Sequence, residues 1–354
     1  MDSIFLEAHN LKNRFGGLGT FNYELINALS KQDLQDLEIT LNLQNINQIK
    51  KEFGKTFEYK KYYSLQRHSF FRVRKKIDTW HSLNQNIKIE PYNNPYKQYI
   101  LTVHDVNFVE ENFSAKKNKS VELFKGKIQR ASTITYISEF AKKMTNQYFE
   151  IPNNVKEKVI YNGNPIKEFL DLSSFVPKIT SKKPFLFSLG DFIPRKNFSS
   201  IIKMVKEIND FNLIISGNDN KSYGYEIKQL ILNNNLSDKV FLTGKIDEKT
   251  KQYYLKNCEA FLFPSIREGF GLPPIEAMKF GKPVFLSNQT SLPEIGGDAA
   301  FYWDNFDPIY MKEILFDGLN KFENDKTYLI KSIERANFFS WDKAAKLYLE
   351  LYKF

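Results

Sequence analysis

Short apolar runs alternate with amphipathic helical stretches along this chain, and that alternation limits the fold more than any other feature. In the first half, Ile4 to Ala8, Ile39 to Leu43, Tyr99 to Val103 and Thr133 to Ile137 read as strands. Each is too short for a buried helix and rich in β-branched or aromatic residues. Thr20 to Leu29 and Ser138 to Phe149 read as helices, with Ser138 placed to cap the second. The second half repeats the pattern: Phe185 to Leu189, Leu213 to Ser216, Val240 to Thr243, Ala260 to Phe263 and Pro283 to Leu286 are strand-like. Helices are expected near Ser199 to Ile208, Tyr225 to Asn233 and Lys249 to Lys256. Between the halves lie Asn162-Gly-Asn-Pro165 and a polar Ser/Lys-rich stretch from Leu172 to Lys183, a linker composition. Strands alternating with helices give parallel sheets covered on both faces, and 354 residues suffice for two cores. The expected architecture is α/β, two Rossmann-like domains facing each other across a cleft, over residues 1–165 and 166–340, followed by a helix over 341–354.

In open parallel sheets, ligands sit beyond the carboxyl ends of the strands. There the segment Glu268-Gly-Phe-Gly-Leu-Pro-Pro-Ile-Glu276 follows the apolar run Ala260 to Phe263 and opens a helical stretch from Ile275 to Phe280. A strand leading into a glycine turn and then a helix leaves free backbone N–H groups at a positive helix end, which suits an anionic or hydroxyl-rich ligand. Two ionised carboxylates beside it only accept hydrogen bonds, so they favour polyols such as a hexose or ribose. The turn reads as a sugar-nucleotide pocket.

Other ligand classes are less well served. Gly16, Gly17 and Gly19 lie between the first strand and first helix, but their spacing is not G-x-G-x-x-G. The strand Ile39 to Leu43 ends without an acid to hold a ribose, which argues against a nicotinamide cofactor. A tight turn needing positive φ would also explain these glycines. The chain has no Asp-x-Asp triplet and no Cys/His cluster of zinc spacing, so metal-independent chemistry is expected. The single cysteine, Cys258, reads as a buried inert thiol.

No apolar run approaches the roughly 18 residues that span a bilayer, and the N-terminus lacks the basic region of a signal peptide. A cytoplasmic protein is expected, or one peripheral on the inner face of the cell membrane. The formal net charge is +10, much of it within Lys55 to Lys76, where Lys60, Lys61, Arg67, Arg72, Arg74, Lys75 and Lys76 interleave with Tyr59, Tyr62, Tyr63, Phe70 and Phe71. That mixture suits an anionic bilayer surface, and it equally describes a solvated surface segment. No nucleic-acid-binding motif accompanies it.

Several segments together resemble the retaining, nucleotide-sugar-dependent glycosyltransferases of the GT-B fold known as family 4. They are the Glu268 to Glu276 turn with Ala277-Met278 and Gly281-Lys-Pro-Val284, Gly190-Asp-Phe-Ile-Pro-Arg-Lys-Asn197, Gly16-Gly-Leu-Gly19, His104-Asp105, Ser138-Glu-Phe140, Asn162-Gly163 and Ser291-Leu-Pro-Glu-Ile-Gly-Gly-Asp-Ala299. Their order and spacing cover nearly the whole chain. The resemblance implies that Arg195 and Lys196 grip the donor diphosphate, where fixed cations stabilise charge developing on the leaving group. It implies that Glu276 accepts from the ribose hydroxyls, with ordinary helix capping as the alternative, and that Glu268 faces the transferred sugar. The N–H groups of Phe270, Gly271 and Leu272 would meet the sugar or the diphosphate, and the glycines Gly16, Gly17 and Gly19 the diphosphate or the acceptor. His104, beside Asp105 at a strand's carboxyl end, would contact the donor sugar, with His81 ranked after it and His9 and His68 unsupported.

By the same resemblance the final helix, with Trp341, Ala344, Tyr348 and Leu351 on one side, crosses back to the first domain. The first domain would hold a glycan or lipid-linked glycan acceptor, with Asn84, Gln85 and the basic, aromatic segment contributing. Envelope polysaccharide or lipopolysaccharide assembly is the implied setting. Phrases shared with mannosyltransferases make GDP-mannose the first candidate donor, while Thr290-Ser291 stands where many relatives place glycines. A sugar-nucleotide epimerase, a glycan phosphorylase or a silent sugar-nucleotide-binding subunit would share the same general shape.

Overall fold

A computed structural model describes every residue except 15, 94, 96, 110–114 and 354, with backbone alone over 115–118. The chain forms two compact units, Met1–Pro165 with Ser340–Phe354, and Ile166–Phe339.

The first unit is built on a seven-stranded parallel sheet. Its strands are β1 (Asp2–Glu7), β2 (Leu37–Leu43), β3 (Glu58–Lys61), β4 (Thr79–Ser82), β5 (Gln98–Val103), β6 (Thr133–Tyr136) and β7 (Lys156–Val159), in the spatial order β3-β2-β1-β4-β5-β6-β7. The second unit has six parallel strands: β8 (Phe185–Leu189), β9 (Asn212–Ser216), β10 (Val240–Leu242), β11 (Ala260–Phe263), β12 (Val284–Ser287) and β13 (Phe301–Trp303), ordered β10-β9-β8-β11-β12-β13. Both are open, doubly wound sheets of Rossmann type, as the alternating pattern predicts. Period-two alternation divides the second sheet between two cores. Ala260 and Leu262 join Leu213, Ile215 and Phe285 on one side, while Phe261 and Phe263 join Phe187, Ile214 and Leu286 on the other. Burying each of these large side chains contributes about 1.5–3 kcal/mol.

Several elements lie outside the expected set. β4 reads Thr-Trp-His-Ser, yet all four residues are buried; its polar groups are satisfied by neighbours rather than by water. β7, Lys-Glu-Lys-Val, is an edge strand and carries the charge that edges tolerate. Helices over Ala115–Arg130, Pro308–Asn324 and Lys326–Phe338 were also not foreseen.

The C-terminal helix, Trp341–Tyr352, belongs to the first unit, against the helix Gly17–Leu29. Gly163 makes the approach possible, since a Cβ there would lie 2.1 Å from the Trp341 nitrogen. Its inward face carries Trp341, Ala344, Tyr348 and Tyr352; Leu351 is only half-buried. A buried polar chain fixes it to the sheet: His81 Nδ1 lies 2.6 Å from Tyr352 Oη and His81 Nε2 2.8 Å from Thr102 Oγ1. Thr102 in turn meets Thr135 at 2.8 Å and Tyr348 at 3.2 Å. His81 is thereby occupied on both ring nitrogens, which is a structural role, and burial pushes its pKa down to about 3.

Candidate functional site

The strand order of the second sheet reverses between β8 and β11, and the loops leaving these two strands flank the crevice that such a reversal opens. The β8 loop carries Arg195 and Lys196 on a single 3-10 turn, Pro194–Lys196, which closes on Asn197 in the left-handed region at φ 51. The β11 loop carries Glu268 and the glycine turn. Topology, not sequence proximity, unites them: Lys196 Nζ donates to Glu268 Oε1 at 2.6 Å, and Arg195 Nη1 lies 3.3 Å from Glu268 Oε2. The Arg195 guanidinium also donates to the Arg267 carbonyl at 2.8 Å, and the Ile266 N–H donates to the Arg195 carbonyl at 2.8 Å, so the two loops are laced together.

The cluster is close to dry. Burial is the largest influence on the Glu268 carboxyl and raises its pKa, but the Lys196 and Arg195 cations and their hydrogen bonds outweigh it and hold the group below its ordinary value. Lys196 is lowered by burial, against the pull of Glu268. Its ammonium also sits 4.4 Å from the centre of the Phe263 ring. Gly190 leaves room for the lysine stem, since a Cβ there would meet Lys196 Cε at 3.2 Å. The outcome is a carboxylate flanked by two cations, a fixed charge pattern suited to a diphosphate and a sugar hydroxyl together.

The helix after this turn runs Leu272–Lys279, three residues earlier than the sequence suggested. Gly271 initiates it at φ 117, and a side chain there would also strike Leu292 at 2.9 Å, so glycine is required on both counts. Proline in the first turn then continues the helix. Glu276 consequently lies beyond the first turn, and helix capping does not account for it. It is buried and paired with Lys251 Nζ at 3.1 Å, a lysine that also meets Glu248 at 2.9 Å. Ser291 braces the turn from below, donating to the carbonyls of Glu268 at 3.0 Å and Phe270 at 2.8 Å. Thr290 adopts φ 58 and accepts the Glu268 N–H at 3.1 Å. A β-branched residue in that region carries strain of about 1–3 kcal/mol, which its hydrogen bond partly offsets.

In the first unit, the sheet reverses between β1 and β4. Gly16, Gly17 and Gly19 stand at the start of the helix Gly17–Leu29, and none has positive φ. The handedness explanation therefore falls. What requires glycine is space at Gly19, where a Cβ would lie 1.8 Å from the Asn13 carbonyl oxygen. Gly17 has nothing within 4 Å of an added Cβ. The same helix presents Phe21 edge-on to His104, ring centres 4.6 Å apart. The His104 Nε2–H donates to the Leu83 carbonyl at 2.9 Å, which leaves Nδ1 as acceptor, and its backbone N–H donates to Gln85 Oε1 at 3.1 Å. Burial pushes its pKa down to about 4, so it is a neutral imidazole at pH 7. Asp105 turns away to accept the Asn107 N–H at 3.1 Å.

Lys127 carries no signal in the sequence, and His9, unsupported there, acquires a partner in the fold. Lys127 is wholly buried and donates to the carbonyls of Gln85, at 3.0 Å, and Ile87, with Glu90 at 3.5 Å. Burial pushes its pKa down to about 8. It clamps the loop after β4 that carries Asn84 and Gln85. At the end of β1, fully buried Glu7 lies 2.6 Å from His9 Nδ1, and the His9 ring stacks on Tyr62 at 4.9 Å. β1 stops at Glu7 and the chain turns at once into the 3-10 helix His9–Asn13, which sets the imidazole against the buried carboxylate. Cys258 is buried, and burial pushes its thiol up to about 12, which makes it inert. Among the described residues, no three His, Cys, Asp or Glu side chains gather as a metal site.

Comparison with known proteins bears on the family and the fold. The family model for glycosyl transferases group 1 matches residues 171–332. The O-antigen chain mannosyltransferase RfbU of Salmonella typhimurium is 28% identical over 232 residues, which cover 63% of this chain and 63% of RfbU. The match thus spans less than two thirds of that relative's length. Among solved structures, the sucrose-phosphate synthase of Thermosynechococcus elongatus superposes with a TM-score of 0.75 at 17% identity, over 99% of this chain and 98% of that one. The Anabaena protein Alr3699/HepE, in complex with UDP and glucose, gives 0.72 at 16% identity, over 99% of each chain. At these identities the structures establish the fold, which is GT-B.

Proposed function

We propose, on the match of residues 171–332 to the family model for glycosyl transferases group 1, that the chain is a retaining glycosyltransferase. It moves a hexose from a nucleoside diphosphate sugar to a hydroxyl of a glycan or lipid-linked glycan in envelope polysaccharide or lipopolysaccharide assembly. The observation that carries this reading is the Arg195, Lys196 and Glu268 cluster at the sheet reversal. In the reaction, the anomeric C–O bond breaks with its electron pair passing to the diphosphate oxygen. The acceptor oxygen forms the new bond on the same face, and its proton goes to the leaving phosphate. Arg195 and Lys196 offset the charge that grows on that phosphate. Glu268, held ionised, accepts from hydroxyls of the transferred sugar, and the N–H groups of Phe270, Gly271 and Leu272 donate from the helix start. Glu276 accepts from the ribose. His104, a neutral imidazole whose Nε2–H is held by the Leu83 carbonyl, accepts from a sugar hydroxyl at Nδ1 without adding charge.

GDP-mannose is the first donor to try, supported by the mannosyltransferase relative; a UDP-sugar comes next, supported by the HepE complex. No step needs a divalent cation. The test is a calorimetric panel of UDP, GDP, dTDP, ADP and their sugars in excess chelator, repeated on Glu276→Ala. One nucleotide should bind and lose about 10- to 100-fold in affinity in the variant, the value of a doubly hydrogen-bonded carboxylate. Transfer should persist undiminished in chelator. Binding that survives Glu276→Ala unchanged would remove the ribose role and leave the Lys251 ion pair as that residue's function.

A further inference from the structure

We propose that one margin of the first sheet is a docking surface for an anionic phospholipid bilayer. The margin begins at β3, the edge strand, and continues through two 3-10 turns, Ser64–Arg67 and Ser69–Phe71. From Tyr59 to Ile77 there is no acidic residue and there are seven lysines and arginines. Tyr62, Gln66, Val73 and Ile77 turn inward and anchor the segment to the unit. The residues between them turn outward although they are large and apolar: Phe70 is 72% exposed, Tyr63 and Leu65 54% each, and Phe71 49%. Tyr92 joins them at 51%, brought alongside by its N–H, which donates to the Val73 carbonyl at 3.0 Å.

Cations and rings form one patch. Arg74 lies over Tyr92 at 4.9 Å and Phe70 at 5.7 Å, Lys61 over Tyr63 at 5.5 Å, and Phe70 meets Phe71 edge-on at 5.1 Å. Lys75 pairs with Glu38 across an exposed contact at 2.9 Å. What sets these side chains apart from scattered exposed apolar residues is their gathering into one patch rimmed by cations, the mark of a contact surface. Leu65, Phe70 and Phe71 gain by entering the acyl boundary, while the surrounding cations meet lipid phosphates. A nucleic acid would reward cations and flat ring faces but not an aliphatic side chain among them. No described helix is long and apolar enough to cross a membrane, so attachment here would be to the surface.

The test is flotation of the purified protein with vesicles of phosphatidylcholine alone and of phosphatidylcholine mixed with phosphatidylglycerol, at low and at high salt. Two variants accompany it: Lys61→Gln/Arg74→Gln/Lys75→Gln, and Phe70→Ser/Phe71→Ser. Each basic residue near an anionic surface strengthens partitioning about fivefold. The triple variant should therefore lose about 25-fold, allowing for the Lys75 pair. The phenylalanine variant should lose about tenfold. Both change exposed residues, and unfolding temperatures matching the wild type establish that they fold. Equal partitioning into the two vesicle types, wild-type binding by both variants, or tighter binding to a DNA oligonucleotide than to anionic vesicles at equal ionic strength would overturn the proposal. Vesicle binding requires no turnover, so its failure leaves the glycosyltransferase reading standing.

Discussion

Replacing Glu268 by glutamine separates two jobs that the structure gives to one carboxylate. Glu268 is the counter-ion of Lys196, at 2.6 Å, and of Arg195, at 3.3 Å, in a cluster where the lysine side chain is only 10% exposed. Breaking one side of a buried ion pair costs about 3–5 kcal/mol. The Arg195 arm, about a third exposed, adds little because water screens it. Glutamine keeps one oxygen to accept from Lys196, so the expected loss is about 2–3 kcal/mol. For a unit of this size that lowers the unfolding temperature by roughly 5–10 °C.

The sign with pH follows from the depressed carboxyl pKa. Glu268 contributes its stability above the unfolded carboxyl value, about 4.3, and loses it as pH falls through the lower folded value. Wild type and Glu268→Gln should therefore differ fully at neutral pH and converge in acid. Nucleotide binding should move the other way. With their internal counter-ion gone, Arg195 and Lys196 present two uncompensated cations, and nucleoside diphosphate should bind at least as tightly as to wild type while turnover falls. Thermal unfolding across pH, with calorimetry of the nucleotide, reads both effects. Wild-type stability at pH 7, or nucleotide affinity falling in step with turnover, would refute the counter-ion argument.

The first unit offers two further checks. Gly19→Ala forces a Cβ against the Asn13 carbonyl oxygen, so it should destabilise by about 1–3 kcal/mol. Gly17→Ala, with open space around it, should stabilise by up to about 1 kcal/mol, and equal effects of the two substitutions in thermal unfolding would contradict the close-approach explanation. His81 and His104 are held neutral by burial, with pKa values near 3 and 4, against about 6.5 when unfolded. Their stability is complete above pH 6.5 and is lost as pH falls toward 4, so His104→Asn should flatten the acid limb of an unfolding titration; an unchanged slope would show that the ring is not buried neutral.

What the sequence revealed, and what it concealed, divides along burial. β8 and β11 were legible to the residue because both faces are covered, which leaves an uninterrupted apolar run as their signature. β4 was hidden because its polar residues are satisfied by Tyr99, Tyr352 and Thr102, partners far away in the chain. The helix Ala115–Arg130 was hidden by its lysines, one of which, Lys127, is buried against backbone carbonyls rather than solvated. At the candidate site, Arg195, Lys196 and Glu268 each announced themselves by type and by neighbours. That they form one ion cluster depends on a strand order reversing between β8 and β11, and strand order is a property of pairing, which leaves no local trace. Glu7 and His9 make the same point from the other side. A histidine with no motif around it acquires a buried carboxylate partner where β1 gives way to the 3-10 helix His9–Asn13. Residue chemistry is thus readable one position at a time, whereas the pKa of a residue like Glu268 belongs to the topology that surrounds it with two cations.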